Sequence, residues 1–392
     1  MLGHLSVDMN QGALPASLPF LIAARGLTYT SATALVFASN ISSSIVQPLF
    51  GYLGDKHTRY WVLSLGLVLA GSGFVMVGLL DTYAAIFIAV MISGIGNAIF
   101  HPEGGKLSNQ ISVNNKGSNM GIFAVGGSLA FAIGPLILSL VIPSFGMKGT
   151  SVFFIPAFAV AAIFLIQMKN LRKTAEESID TFSLSEEIFT DTAVTADTAG
   201  PQNIESISKD DWPSFIKLSF FVFSRATVLF GMVTFIPLYW VGILNQTQAA
   251  GSVALAIYSF ATVFSTVIGG FLADRYGYNK IINIGSLTFI PFLVLFTFVP
   301  DLRLSYFLLI PMGFTLQLCF STVISIGQSF LPNHVGFASG ITMGMGSSVG
   351  AIIAPVLGRV SDLYGLGNTF YILIALAVIT AVTGCLVPKH RR

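Results

Sequence analysis

Charge is what this sequence has least of. Of 392 residues, 19 are Lys or Arg and 17 are Asp or Glu, 9% in all, where an ordinary globular domain carries about 25%. A soluble fold of this length needs a charged exterior, so the shortage excludes a soluble enzyme, a nucleic-acid binder and a disordered chain. Cysteine is nearly absent as well. Cys319 and Cys385 lie far apart in apolar runs, which excludes a disulfide framework. The five His are scattered along the chain with no zinc-type spacing, so no metal site is read from them. Gly94-Ile-Gly96 lacks the strand–helix context of a nucleotide site, and no catalytic constellation stands out. An enzyme is therefore not expected, nor a cofactor. What the chain does have is 54% hydrophobic residues, 34 Phe, 39 Gly and a mean hydropathy of +0.81. That composition describes an integral membrane protein whose main partner is the lipid bilayer.

A spanning helix needs roughly 20 apolar residues. Twelve such segments are expected, near 2–24, 30–53, 61–80, 83–101, 118–143, 150–168, 214–243, 249–273, 281–299, 304–329, 336–358 and 368–387. They are long and continuous, unlike the short alternating strands of a barrel. An even number puts both termini on one side. With the termini cytoplasmic, 14 Lys and Arg fall in inner loops and tail and 4 in outer loops, so the positive-inside rule places the termini in the cytoplasm of an inner membrane. The first span starts at about residue 2 without a signal-peptide pattern. So short a flank leads us to expect that the natural chain begins earlier.

The charges are also clumped. Residues 169–212 hold ten acidic and four basic residues, and read as a polar tether between residues 1–168 and 213–392. These two halves repeat each other. Gly51-Tyr-Leu-Gly-Asp55-Lys56 matches Gly270-Phe-Leu-Ala-Asp274-Arg275 at an offset of 219, as do Gly12 with Gly231 and Gly121 with Gly340. At an offset of 220, Gly126-Gly127-Ser128 through Gly134-Pro135 matches Gly346-Ser347-Ser348 through Ala354-Pro355. A register held over about 120 residues describes two parallel six-helix bundles, a transporter architecture.

The loop Gly51-x-x-x-Asp55-Lys56-x-Thr58-Arg59 and its copy Gly270-x-x-x-Asp274-Arg275 read as a gating latch, the Asp accepting bonds from a neighbouring helix end or a basic residue. The plainer reading is a tight turn with topology-setting charges. Twelve spans, the duplication and this loop together resemble the major facilitator superfamily, although Thr58 and Tyr60 depart from its usual residues. The Gly126, Gly134 and Pro135 run resembles the Gly/Pro element associated with its antiporters. His4-x-x-x-Asp8-Met9-x-Gln11-Gly12-Ala13-Leu14-Pro15, Ser43-x-x-x-Gln47-Pro48-x-x-Gly51 and Gly94-x-Gly96-x-Ala98-x-Phe100-His101-Pro102-Glu103-Gly104 resemble the fosmidomycin-resistance type of drug exporter. The resemblance implies a major facilitator fold, drug efflux by antiport and antibiotic resistance.

Ionisable residues inside spans are costly and read as functional. His4, Asp8 and Gln11 share one helix face at i, i+4, i+7, with Asp8 about 9 Å into the span. Asp8 is the expected proton carrier with His4 beside it; mutual satisfaction of the pair is the alternative. Asn97 and His101 share a face of the fourth helix, and Pro102 is expected to end or bend that helix before Glu103. The resemblance implies that His4, Asp8, His101 and Glu103 form one titratable cluster. Arg225 lies mid-span in the seventh helix and offers a bidentate fork to phosphate or phosphonate oxygens, with an internal salt bridge as the rival. Gln11, Gln47, Asn97, Gln317 and Gln328 are candidates for substrate hydrogen bonds, and Phe100, Phe314 and Trp240 for the cavity wall. The expected function is proton-coupled efflux of a small drug or metabolite by a monomer. Proton-coupled uptake, or a receptor signalling through the linker, are the alternatives.

Overall fold

A computed structural model describes residues 1–56, 61–110, 116–171, 173 and 209–388. Among these there are helices and no strands. In order they are α1 (Leu2–Arg25), α2 (Tyr29–Lys56), α3 (Trp61–Leu79), α4 (Tyr83–Gln110), α5 (Lys116–Phe145), a 3₁₀ turn (Gly146–Phe153) and α6 (154–171). The second half comprises α7 (Trp212–Gly242), α8 (Gln248–Tyr276), α9 (Tyr278–Phe298), α10 (Leu302–Gln317), α11 (Phe320–Phe330), a 3₁₀ turn (Pro332–His334), α12 (Val335–Ser339), a π segment (Gly340–Met345), α13 (Gly346–Tyr364) and α14 (Leu366–Cys385). Nine helical segments among the described residues are long and apolar enough to cross a membrane, α5 and α6 running together in one of them. With α1 and the 335–364 segment they make twelve spans in two six-helix bundles, a membrane fold.

Helix starts are fixed by local chemistry. Asp211 accepts from the Ser214 amide at 3.1 Å with Pro213 in the first turn of α7. Thr247 caps α8 through the Ala250 amide at 3.2 Å, and Asp301 caps α10 through Leu304 at 2.8 Å. Helices then pack through small residues, which lets backbones approach in lipid. A Cβ at Gly134 of α5 would lie 2.4 Å from the Met9 carbonyl oxygen of α1, and one at Gly12 of α1 would lie 2.6 Å from the Phe131 Cα of α5. The Gly-rich stretch of α5 is thus the bed on which α1 rests.

Three segments differ from the sequence expectation. The tenth span is not one helix: it breaks at Leu318 and Cys319. The eleventh begins in a 3₁₀ turn and carries the π segment. Helix α4 does not end at Pro102 but runs on to Gln110, because a proline costs one backbone bond that neighbouring helices can offset in lipid.

The bundles meet along α5 with α8 and α2 with α13, while α1 touches both α7 and α8. Ser252 of α8 donates to the Ala16 carbonyl of α1 at 3.2 Å, and Ser348 of α13 to Ser44 of α2 at 2.6 Å. At the face opposite the chain termini, the Asp362 carboxylate at the end of α13 accepts from the backbone amides of Tyr29 and Thr30 at 2.8 and 2.9 Å and from the Thr30 hydroxyl at 2.5 Å. These are the exposed amides at the start of α2, so one bundle caps a helix of the other. A wholly apolar groove of about 420 Å³ runs between α5 and α8, lined by Ala132, Leu136, Ala256, Phe260, Phe264 and Ile310.

Candidate functional site

Asp8 occupies the inner face of α1, 5% exposed. It is held between two imidazoles: His4 Nε2 lies 3.1 Å from Oδ2 and His101 Nε2 lies 3.1 Å from Oδ1. The second contact is off the line that a hydrogen bond needs, so Oδ1 is buried without one. The two rings meet edge to face, 5.2 Å apart, and His4 stacks on Phe123 at 4.2 Å. His4 Nδ1 lies 2.7 Å from the Phe123 carbonyl. A carbonyl only accepts, so Nδ1 carries the proton and Nε2 is the nitrogen left facing the carboxylate. The His4–Asp8 contact can therefore hold one shared proton. Gly127 of α5 makes the contact sterically feasible, since a Cβ there would lie 2.5 Å from His4 Nε2 and 2.9 Å from Asp8 Oδ2. A small cavity of about 130 Å³ reaches the same His4, bordered by Leu63, Phe100, Phe123 and Phe164.

One turn further along α1, a chain of amides links three helices. Asn97 donates to Gln11 Oε1 at 3.1 Å, Gln11 donates to Asn40 Oδ1 at 3.0 Å, and Asn40 donates to the Val36 carbonyl at 2.8 Å. Asn40 was not among the expected site residues; its signal is an amide side chain inside an apolar span. Of the other expected residues, Glu103 is buried but sits two positions past His101, about 200° around the helix, and is not part of the trio. Phe100 is fully buried and packs against Phe164 in the first bundle. Gln47 is exposed on α2, and Gln328 joins α11 to α12 by donating to Ser339 at 2.9 Å. Trp240 is packed among Phe296 and Tyr306 in the second bundle.

The second polar centre surrounds Arg225, 5% exposed on α7. Its Nη1 donates to Gln317 Oε1 at 3.1 Å and to the Leu316 carbonyl at 3.4 Å, and its guanidinium lies 5.6 Å from the Phe320 ring centre. Those partners flank the break in the tenth span. Where a helix stops, its last carbonyls lose their intrahelical donors, and here Arg225 and the Cys319 thiol, 3.8 Å from the Leu316 oxygen, supply them. The Arg225 Nε has no hydrogen-bond partner, nor does the fully buried hydroxyl of nearby Tyr258. Among the described residues no carboxylate pairs with Arg225.

The proposed latches are less complete. Gly51 packs 3.9 Å (from an added Cβ) beside Pro102; Arg59 and the side chains of Asp55 and Lys56 lie outside the described residues. In the copy, Asp274 accepts from the Tyr278 hydroxyl at 3.3 Å and Arg275 covers the Tyr276 ring at 5.5 Å. Gly270 packs near Ser321, which donates to the Thr266 carbonyl at 2.9 Å. The end of the linker is clasped to the 3₁₀ turn Pro332–His334 between α11 and α12: Asp210 accepts from the Asn333 amide at 3.1 Å and lies 2.8 Å from His334 Nδ1. The rest of the linker, 174–208, lies outside the described residues.

Residues 1–355 match the family model described as Major Facilitator Superfamily. The chain belongs to this superfamily. It is 26% identical to the fosmidomycin resistance protein of Escherichia coli (strain K12), over 100% of this chain and 92% of that protein. It is 28% identical to the MFS-type transporter YfnC of Bacillus subtilis, over 99% and 91%, and 22% identical to OusA of Dickeya dadantii, a glycine betaine/proline/ectoine/pipecolic acid transporter, over 87% and 72%. A solved bacterial homologue of the lysosomal transporter Spinster, inward-facing and occupied, superposes with a TM-score of 0.77 at 13% identity, covering 98% and 96% of the two chains. A multi-pass transporter fold in a lipid bilayer follows, with a small molecule as its substrate.

Proposed function

We propose that this protein exports a small anionic drug or metabolite, such as a phosphonate, in exchange for protons by alternating access. The observation that carries the reading is Arg225. A buried guanidinium without a carboxylate is costly, and the cost is met when a ligand brings the anion. The unpartnered Nε and Tyr258 hydroxyl are the donors still available for its oxygens. The Asp8–His4–His101 cluster is the coupling site: a proton taken up there neutralises the carboxylate and weakens its hold on the imidazole from α4, biasing one arrangement of the bundles. The excess of basic residues in the loops on the terminus-bearing side supports a cytoplasmic placement of that side. The name of the 26% identical relative supports export of fosmidomycin-like compounds.

The test is substrate-induced proton flux in proteoliposomes, with fosmidomycin, a lipophilic cation, a sugar and glycine betaine compared. Fosmidomycin should move protons and the lipophilic cation should not. Arg225→Gln should cut phosphonate flux at least tenfold with the protein still inserted, and Asp8→Asn should abolish proton-driven transport. Undiminished phosphonate flux in Arg225→Gln would overturn the anion assignment. Uptake is the second reading, favoured by the betaine- and proline-transporting relatives, whose zwitterionic cargo also carries a carboxylate. Flux of glycine betaine alone would select it.

A further inference from the structure

The trio His4, Asp8 and His101 has chemistry beyond a shared proton. One donor atom from each lies within 4.8 Å of the others, although 93 residues separate Asp8 from His101. Both imidazoles present Nε2 to one carboxylate, at 3.1 Å each. His4 gives its remaining ring N–H to the Phe123 carbonyl, the outer bond by which metal-binding imidazoles are oriented. Asp8 Oδ1 is buried and accepts no hydrogen bond, and such an atom is costly unless a donor or a cation meets it. The donors stand on two long helices, α1 and α4, backed by α5 through Gly127.

The geometry points to a site for one divalent transition metal ion, of the zinc, cobalt or nickel class, held by His4, Asp8 and His101. Two imidazoles and one carboxylate suit these ions, whereas Mg²⁺ and Ca²⁺ prefer oxygen alone. Around a tetrahedral ion with bonds near 2.0–2.1 Å, neighbouring donors stand roughly 3.3 Å apart. Each imidazole Nε2 already stands 3.1 Å from a carboxylate oxygen, His4 from Oδ2 and His101 from Oδ1, and the three donor atoms, now within 4.8 Å of one another, reach that spacing by a small turn of the carboxylate and of the His101 ring. Three protein ligands leave a fourth position open, the pattern of an exchangeable ion rather than a closed structural one. Bound there, the ion ties α1 to α4. The inference is independent of what the protein transports or in which direction, because binding is read on the protein at rest.

The test uses the whole protein in nanodiscs without a polyhistidine tag, titrated with Co²⁺ and Zn²⁺. Expected are one ion per chain, a visible Co²⁺ absorption band of imidazole ligation, and a rise in Tm with Zn²⁺. His4→Ala, His101→Ala and Asp8→Asn should each weaken binding at least about tenfold and lose the Tm rise, while keeping the metal-free Tm. His334→Ala, at the exposed His by the linker, should bind as wild type. Excess Mg²⁺ should not compete. Should a variant fail to fold, pulsed electron paramagnetic resonance of Cu²⁺ bound to the wild type must show two imidazole nitrogens. Binding of less than one ion per chain, undiminished affinity in both His4→Ala and His101→Ala, or displacement by Mg²⁺ would overturn the site.

Discussion

Two glycines of α5 that face α1 differ in what they face. At Gly127 an added methyl meets the His4 ring and the Asp8 carboxylate, whereas at Gly134 it meets the Met9 carbonyl 2.4 Å away. Side-chain tips yield and backbone does not. Gly127→Ala should therefore leave thermal stability within about 1 kcal/mol of wild type yet sharply reduce proton-driven transport, and Gly134→Ala should cost about 1–3 kcal/mol. Paired melting and flux measurements check both; equal melting losses would refute the distinction. Gln11→Leu removes the centre of the amide chain and leaves Asn97 without its acceptor, a loss of about 0.5–2 kcal/mol in a membrane interior. The pairing of His4 with Asp8 is legible in the sequence from their i, i+4 spacing. The meeting of Asp8 with His101 has no local signal; a family resemblance implied it, and only the crossing of α1 with α4 produces it. Asn40 is legible only once its amide partners are known.

At the scale of elements, the break in the tenth span is the feature that sequence pattern could not show. Residues 304–329 carry no charge and read as one continuous span, and neither glycine nor proline stands at Leu318 or Cys319. The cause lies in tertiary structure. Gly269 of α8 lies so close that an added Cβ would stand 2.0 Å from the Leu318 oxygen, and Arg225 supplies a donor to the carbonyl of the preceding turn. Gly269→Ala should accordingly disturb the break from behind. The expected result is destabilisation by about 1–3 kcal/mol and loss of phosphonate binding with Arg225 untouched, measured by melting and by ligand titration. Unchanged affinity would show that the break does not shape the Arg225 centre. The converse holds at Pro102, where the helix does not end. Pro102 is a strong breaker signal in water, and α4 passes through it because packed neighbours in lipid hold the helix together.

For the molecule as a whole, the twelve spans and the duplication are legible because hydropathy and repeat register are properties of long stretches, averaged over many residues. The closure between bundles is not, since Asp362 reads as one more loop charge beyond an apolar run. Partial burial pushes its carboxyl upward, but this is outweighed by the Thr30 hydroxyl and amide and the Tyr29 amide, which hold it below the usual carboxylate range. Its contribution to the closed face is thus present at neutral pH and lost as pH falls through that lowered value. Spin labels beside Tyr29 and Tyr364 should report a short, single distance at pH 7, broadening only in strong acid. Asp362→Ala should broaden it at pH 7; an unchanged distance would remove the latch. The latch also has no twin. One repeat length before Asp362 stand Ile142 and Pro143, neither with an acceptor side chain, and α8, the counterpart of α2, is capped by its own Thr247. A protein assembled from two copies of the first half would keep the helices and lose this lock, so the two halves are not interchangeable at this face.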